Sequence, residues 1–572
     1  MLVSEAVGAT LAELGADTVF GVVGSGNFRV TNALIARGAR YVAARHEGGA
    51  ASMADGWARM TGRPGIVSVH QGPGLTNAMT GITEAAKSRT PLLVLAADVA
   101  AGAVRSNFRI DVAAMAAAVG AVPARLHSAG FAVDDTVRAY RTALAQRRTV
   151  VLALPLDVQA AECTMPEIAP VSGPVARVPA PAAAADLAGA LRRASRPVFI
   201  AGRGARTARA RADLELLADA CGALLATSAA GKGLFRGSPW DLDVSGSFAS
   251  PLAAELIRGA DLVVGWGCSL NMWTLRHGNL ISPGTTVAQV DDEPAAIGAH
   301  RRVDLGVPGD VALTARAVTA LLRADAAGGS GPASGDGSGP GSGDGSGGKP
   351  GGSPGYRSAE LRDRIARGIR WRDVPYADES DESRIDSRSL TIALDDMLPA
   401  ERIVAIDSGN FMGYPSMYLS VPDADGFCFT QAYQSVGLGL ASAIGSAIAR
   451  PDRLTVAALG DGGALMGISE LETVVRLGLP MVIVVYDDEA YGAEVHHFGP
   501  DGHPVETVRF PAADIAAIGR GFGCDGVTVR GLGDLGPVQA WLDGARDRPL
   551  VIDAKVSSGR GSWWLEEAFR GH

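Results

Sequence analysis

Short runs of apolar, largely β-branched residues alternate with longer Ala-rich stretches along almost the whole chain, and no other feature narrows the fold as much. In the first block the runs read TVFGVV, RYVAA, GIVSVH, LLVLAA and TVVLALP. In the second they read PVFIAG, LLATS, DLVVGWG and TTVAQVD, and in the third RIVAIDSG, LTVAALGDG, MVIVVYDD and LVIDAKV. Apolar runs without alternation suit strands covered on both faces. Strand–helix alternation then predicts parallel sheets wrapped by helices. The expected fold is α/β, with three doubly wound parallel-sheet domains. In such sheets ligands bind beyond the carboxyl ends of the strands.

Two composition shifts divide the chain. Residues 326–355 are almost entirely Gly, Ser, Pro, Ala and Asp, too poor in apolar surface to order themselves, and they predict a disordered linker. A softer boundary lies near 170–185, in PEIAPVSGPVARVPAPAAA. The expected domains are therefore 1–170, 185–325 and 356–572. Against 52 basic residues stand 61 acidic ones, a net charge of -9 without a basic stripe, which argues against a nucleic-acid partner. No apolar run approaches the ~18 residues of a membrane span. The opening MLVSEAVGATLAELG reads as an amphipathic helix and not as a signal peptide. The cysteines stand singly, without CxxC or Cys/His clusters, and read as buried thiols in a reducing, cytoplasmic setting.

The densest chemistry lies between Leu454 and Glu494. One strand ends in Gly460-Asp461-Gly462 and the next in Asp487-Asp488, with a helix-like stretch between them. Parallel strands joined by one helix bring both ends to the same sheet edge, where Asp461 and Asp488 can converge on a cation. The glycines leave room for a phosphate at a helix N-terminus. Carboxylate and phosphate oxygens together are the usual Mg²⁺ ligands. A second cluster spans Arg40 to Ile82. Glu47 sits at the end of a short strand, next to small residues, where desolvation would raise its pKa and suit it to holding or moving a proton. After the next strand come His70-Gln71, then Gly72-Pro73-Gly74 and Thr76-Asn77.

In this order, FGVVGSG (Phe20 to Gly26), RHEGGAASMADGWAR (Arg45 to Arg59), GPGLTN (Gly72 to Asn77) and GDG…DD resemble the thiamine-diphosphate (ThDP) enzymes of the acetolactate synthase, pyruvate decarboxylase and sulfoacetaldehyde acetyltransferase group. The resemblance implies a pyrimidine-binding, a middle Rossmann-like and a diphosphate-binding domain. It also implies a homodimer or homotetramer with cofactor held between subunits. Glu47 then matches the glutamate that hydrogen-bonds the pyrimidine and promotes the tautomer that removes the thiazolium proton. Asp461, Asp488 and the Ala490 carbonyl match the Mg²⁺ ligands. Gly460, Gly462 and Gly463 match the diphosphate lining, and Val436 the apolar wedge that bends the cofactor. Gly24, Pro73, Asn77, Tyr491 and Gly492 complete the expected cofactor contacts.

Departures concern mainly the substrate. The metal site usually carries asparagine where this chain has Asp488. Phe108, in Arg105–Asp111, stands where acetolactate synthases commonly place a glutamine. His70 and Gln71 are candidates for substrate chemistry, since a histidine there can donate a proton or bond a carbonyl. Asn27, Phe28, Phe108, Glu494 and His497 are the expected pocket walls. In the middle block Gly202–Ala205, Gly267–Leu270 and Val290–Gly298 resemble FAD-contacting stretches in part, leaving FAD, ADP or no ligand open. The leading expectation is a carboligase that decarboxylates pyruvate or a related 2-oxo acid and passes the two-carbon unit to an acceptor. A lyase without ligation, an acyl-phosphate-forming acetyltransferase and a non-catalytic regulatory module stay open beside it. A Rossmann dehydrogenase does not fit, because no strand leads into GxGxxG with an acidic residue ~20 positions on.

Overall fold

The computed structural model describes residues 1–328 and 355–565. Of the linker expected at 326–355, residues 326–328 continue the helix Val311–Gly328, and all but these and residue 355 lie outside the described residues.

Three sheets of six parallel strands form the framework, as the alternating runs predict. The first contains β1 (Thr18–Gly21), β2 (Arg40–Ala43), β3 (Gly65–Val69), β4 (Leu92–Asp98), β5 (Val122–Arg125) and β6 (Thr149–Pro155), in the order β2-β1-β3-β4-β6-β5. In the second, β7 (Pro197–Ala201), β8 (Leu224–Thr227), β9 (Asp241–Val244), β10 (Leu262–Trp266), β11 (Thr286–Asp291) and β12 (Leu305–Pro308) run β12-β11-β10-β7-β8-β9. The third holds β13 (Arg402–Ile406), β14 (Phe427–Phe429), β15 (Leu454–Gly460), β16 (Met481–Asp487), β17 (Asp525–Val529) and β18 (Leu550–Lys555), in the order β14-β13-β15-β16-β18-β17. No helix among the described residues is long and apolar enough to cross a membrane. Cys268, Cys428 and Cys524 are buried free thiols, and Cys163 and Cys221 are half-buried ones.

The first and third sheets belong to one compact unit, formed by Met1–Val175, Ala377–Val421 and Asp425–His572. The second sheet belongs to another, formed by Ala176–Tyr376 and Pro422–Ala424. In this second unit Gly202, Gly204 and Gly267, among the glycines read as FAD contacts, meet one another. A Cβ on Gly202 would lie 2.4 Å from the Gly267 carbonyl oxygen, and one on Gly204 2.8 Å from Gly267 Cα. Close approach of the loops after β7 and β10 therefore accounts for these glycines by itself.

In the first unit a single apolar core includes Phe20 and Val67 of the first sheet and Ile403, Ala457 and Ile483 of the third. Two helices join them, Glu47–Thr61 and Gly439–Ala449. They cross so closely that a Cβ on Gly445 would lie 1.9 Å from the Met53 carbonyl oxygen. One on Gly56 would lie 2.3 Å from that of Ser442. Beside this crossing Arg59 is buried between Asp55 (2.8 Å) and Glu84 (2.9 Å), and it donates to the Phe429 carbonyl at 2.8 Å. Glu84 in turn accepts the amides of Ala432 and Tyr433. A buried guanidinium tolerates this setting only while its carboxylates remain in place.

Gly445→Ala is expected to cost about 3 kcal/mol, the penalty for overpacking a closed interface. Gly189→Ala is the control, because a Cβ there meets only the end of the Arg193 side chain, at 3.3 Å. In a helix that change should be neutral or stabilising by up to ~1 kcal/mol. Thermal unfolding of both variants checks the pair, and an unchanged Tm for Gly445→Ala would contradict the crossing.

Candidate active site

Asp461 opens the helix Asp461–Met466 directly after β15, and Asp488 follows β16. The two strands are parallel neighbours with Gly460 opposite Tyr486, so both acids reach one sheet edge. Burial, and then the charges of Asp488 and Asp487, push the Asp461 carboxyl up to about 7. Burial likewise pushes Asp488 up to about 6, against hydrogen bonds from the Asn410 side chain and the Ala490 amide. The neighbouring Asp487 is different, because buried Lys555 is ion-paired with it. Lys555 also meets Asp553 at 3.2 Å and donates to the Ala513 carbonyl at 2.7 Å. Asp461 and Asp488 have no cationic partner among the described residues. Two largely desolvated carboxylates, one of them raised by the charge of the other, are a fit setting for a hard divalent cation. Among those residues no three His, Cys, Asp or Glu side chains cluster as a metal site, so the side-chain donor set is this pair. Ala490, whose carbonyl is the expected third ligand, is bridged to Arg509.

Around the pair the surface is bare backbone. A Cβ would lie 2.7 Å from the Tyr491 ring at Gly462 and 2.1 Å from Asp407 Oδ2 at Gly463. At Gly492 it would lie 2.3 Å from Asp488 Oδ2, and at Gly460 3.1 Å from the Phe411 ring. This is a cradle that side chains would fill, and it fits a diphosphate. Buried Asp407 accepts the amides of Ser408 and Gly437, both at 2.9 Å, and so pins the loop that carries Val436. Val436 is 37% exposed and is not a core residue. Tyr491 packs against Phe510, ring centroids 4.8 Å apart. Glu494 and His497 are half-buried on the next helix, Gly492–Phe498.

A second group gathers at the ends of β1, β2 and β3. Glu47 is the first residue of the helix Glu47–Thr61 and not the end of a strand, since β2 stops at Ala43. His46 caps that helix by accepting the Gly48 amide at 3.0 Å. Asn77, on the helix Pro73–Lys87, donates to Glu47 Oε2 at 3.1 Å. Burial and then Glu47 raise the Tyr41 pKa, so this phenol stays protonated beside the carboxylate. His70 Nδ1 accepts the Gly26 amide at 3.1 Å. Burial lowers the His70 pKa, opposed by Glu47. At neutral pH the ring is therefore uncharged, and the Gly26 bond assigns its proton to Nε2, a hydrogen-bond donor. The Phe108 ring meets His70 edge-on at 5.2 Å.

Two buried polar atoms here lack a partner, the Tyr41 hydroxyl and Gln71 Oε1. Such orphans are uncommon in folded proteins and fit a polar ligand. Asn27, expected as a pocket wall, is instead fully buried. It accepts the Gly24 amide at 2.8 Å and donates to the Val22 carbonyl at 3.1 Å and Ser68 Oγ at 3.0 Å, so it holds the turn. Phe28 beside it is 53% exposed. Among the described residues no hydrogen bond, ion pair or ring contact directly joins Glu47, Asn77 or His70 to Asp461, Asp488 or Tyr491. A cavity of about 980 Å³ lies elsewhere, lined by Arg109, Arg125, His127, Arg138 and Asp98. Arg125 is already paired with Asp98 at 2.6 Å and Arg138 with Asp135, which leaves that cavity largely neutralised.

Sequence reasoning missed Tyr41, Asp407 and Asn410. Tyr41 sits within a run read only as a strand. Asp407 and Asn410 lie in DSGN, directly after the RIVAI strand, a position that could have drawn attention to them.

Three family profiles match the chain. They are "Thiamine pyrophosphate enzyme, N-terminal TPP binding domain" over residues 1–117, "central domain" over 184–318 and "C-terminal TPP binding domain" over 407–554. The chain is 31% identical over 527 residues to the "Probable 2-ketoarginine decarboxylase AruI" of Pseudomonas aeruginosa, covering 90% of this chain and 87% of that protein. It is 27% identical to a sulfoacetaldehyde acetyltransferase of Rhodobacter capsulatus, over 99% of this chain and 96% of the relative. It is 26% identical to an acetolactate synthase large subunit of Parasynechococcus marenigrum, over 90% and 81%.

The raised Asp461 pKa has a consequence for stability. Between the ordinary value of 3.8 and about 7, the folded metal-free chain binds more protons there than the unfolded one. Stability from this group is therefore full below the lower value and is lost as pH rises through the upper one. A cation bound by the pair relieves that loss and releases protons as it binds. Mg²⁺ should raise Tm more at pH 8 than at pH 5.5. Equal gains at both pH values would separate Asp461 from the metal.

Proposed function

Because the chain belongs to the thiamine pyrophosphate enzyme family, we propose that it is a ThDP- and Mg²⁺-dependent enzyme acting on pyruvate or a related 2-oxo acid, which it decarboxylates before passing the two-carbon unit to an acceptor. The observation that carries the reading is the unneutralised pair of buried Asp461 and half-buried Asp488 beside a glycine cradle, on a chain that also has Glu47 at a helix start. Asp461, Asp488 and the Ala490 carbonyl would hold Mg²⁺, and Gly462 and Gly463 would admit the diphosphate. Bound ThDP supplies a nucleophilic carbon and an electron sink for decarboxylation. Glu47 holds or passes a proton at the carboxylate oxygen that Asn77 leaves free. Tyr41, kept protonated, is a donor beside it. His70 offers its Nε2 proton to a substrate oxygen while its other nitrogen is held by the Gly26 amide.

The family's arrangement, with cofactor held between subunits, supports a homodimer or homotetramer in which one subunit completes the site of another. Decarboxylation without ligation is the second reading. It is favoured by the 31% identity to a protein whose name describes a decarboxylase. The acyl-transfer outcome has support of the same kind from the sulfoacetaldehyde acetyltransferase.

The protein loaded with ThDP and Mg²⁺ should release CO₂ from pyruvate, and mass spectrometry of the products decides between a ketol, an acyl phosphate and a free aldehyde. Glu47→Gln should lower kcat by about 10²–10⁴-fold while leaving ThDP binding measurable by calorimetry. Turnover by Glu47→Gln at the wild-type rate would overturn the assignment of Glu47. Pyruvate left intact with ThDP bound would move the reading to another 2-oxo acid.

A further inference from the structure

Asp488 is held by a side chain that is itself held from far along the chain. Asn410 follows β13 at the start of a short 3₁₀ turn, and its amide group bonds the Asp488 carboxylate. The orientation of that amide is set by Ser562, whose Oγ lies 2.7 Å from Asn410 Oδ1 and 2.9 Å from the Asn410 carbonyl oxygen. With Oδ1 engaged as an acceptor, the NH₂ end is the one left to face Asp488. Trp564 Nε1 donates to the same Asn410 carbonyl at 3.2 Å.

The segment that supplies these donors has a shaped seat. Trp564 is 1% exposed and meets the Tyr414 ring edge-on at 4.9 Å. A Cβ on Gly413 would lie 2.4 Å from the Trp564 indole, so only glycine lets the ring in. Ser562 is buried, and its Oγ also meets the Tyr414 hydroxyl. A Cβ on Gly561 would lie 2.9 Å from His496 Cβ, on the helix that follows Tyr491. The residues just before the seat are the opposite. Arg560 is exposed, its guanidinium paired with Glu379 at 2.9 Å.

We propose that Ser562 and Trp564 are positioning residues that act through Asn410 to present Asp488 to the divalent cation, so that docking of this segment and loading of the metal strengthen one another. The inference rests on the proposed metal role of Asp488. Held by the Asn410 side chain and the Ala490 amide, the Asp488 carboxylate has a fixed orientation with lone pairs to spare, and outer partners of this kind commonly set metal affinity. Coupling is reciprocal. If the docked segment favours the metal, the metal favours the docked segment.

Mg²⁺ binding to the full chain in the presence of ThDP, followed by calorimetry, tests the relay. Ser562→Ala and Asn410→Ala should each weaken Mg²⁺ about 10-fold. Ser562→Thr, which keeps the hydroxyl, should stay near wild type, and the Tm of the metal-free protein should move little. Trp564→Phe keeps a ring in the seat but removes the donor, and should weaken Mg²⁺ more modestly. It serves if Ser562→Ala fails to fold. Mg²⁺ with ThDP should also slow tryptic cleavage after Arg560, read by mass spectrometry. Wild-type Mg²⁺ affinity in both Ser562→Ala and Trp564→Phe, or cleavage indifferent to the metal, would overturn the relay alone. A wild-type chain that binds no Mg²⁺ at all would overturn the functional reading with it.

Discussion

The first unit depends on two helices that cross at backbone contact. Side chains normally keep helices 8–10 Å apart. Here Gly56 and Gly445 remove them at the crossing, and carbonyl oxygens lie where Cβ atoms would be. Two consequences for the site follow from this one approach. The helix Glu47–Thr61 begins at Glu47, and the loop leading into Gly439–Ala449 carries Val436. Fixing the crossing therefore fixes the positions of both Glu47 and Val436. Arg59, Glu84 and Asp407 then hold the surrounding loops by hydrogen bonds to backbone, which position a chain segment more firmly than apolar contact does.

Charge is distributed with similar economy on the third sheet. Asp487 and Asp488 are adjacent, yet they sit in opposite electrostatic settings. Asp487 shares Lys555 with Asp553 inside the fold. Asp488 faces the sheet edge and receives only neutral donors. The alternation of side chains along a strand end produces this division without further machinery. One acid is neutralised by the protein, and its neighbour is not.

The framework was legible in the sequence because most strands are covered on both faces and read as continuous apolar runs. The strands that the pattern did not reveal were β5, β9, β12, β14 and β17, and every one lies at a sheet edge. Edge strands pack against one neighbour only and alternate with solvent. The VPAR of β5 shows this, with every second residue exposed. In the site, the acids and glycines were legible because their spacing repeats a strand-turn-helix pattern. Asn27 was placed at the right turn with the wrong task, since a sequence does not show that its amide is consumed by Gly24, Val22 and Ser68. Asn410 escaped because its partners Ser562 and Trp564 are more than 150 positions away, a separation that local pattern cannot reach.

The acid at position 488, where the resemblance leads one to expect asparagine, makes sense within this charge arrangement. A lysine or arginine near Asp461 and Asp488 would neutralise them permanently and exclude a metal. Asn410 instead bonds one carboxylate without cancelling its charge. With Asp461 pushed up to about 7 and Asp488 to about 6, the pair can take up a proton near neutral pH when no cation is bound. A divalent ion held there, as proposed, would have to displace that proton. The extra acid would then impose little repulsion without the ion, yet offer it a full charge.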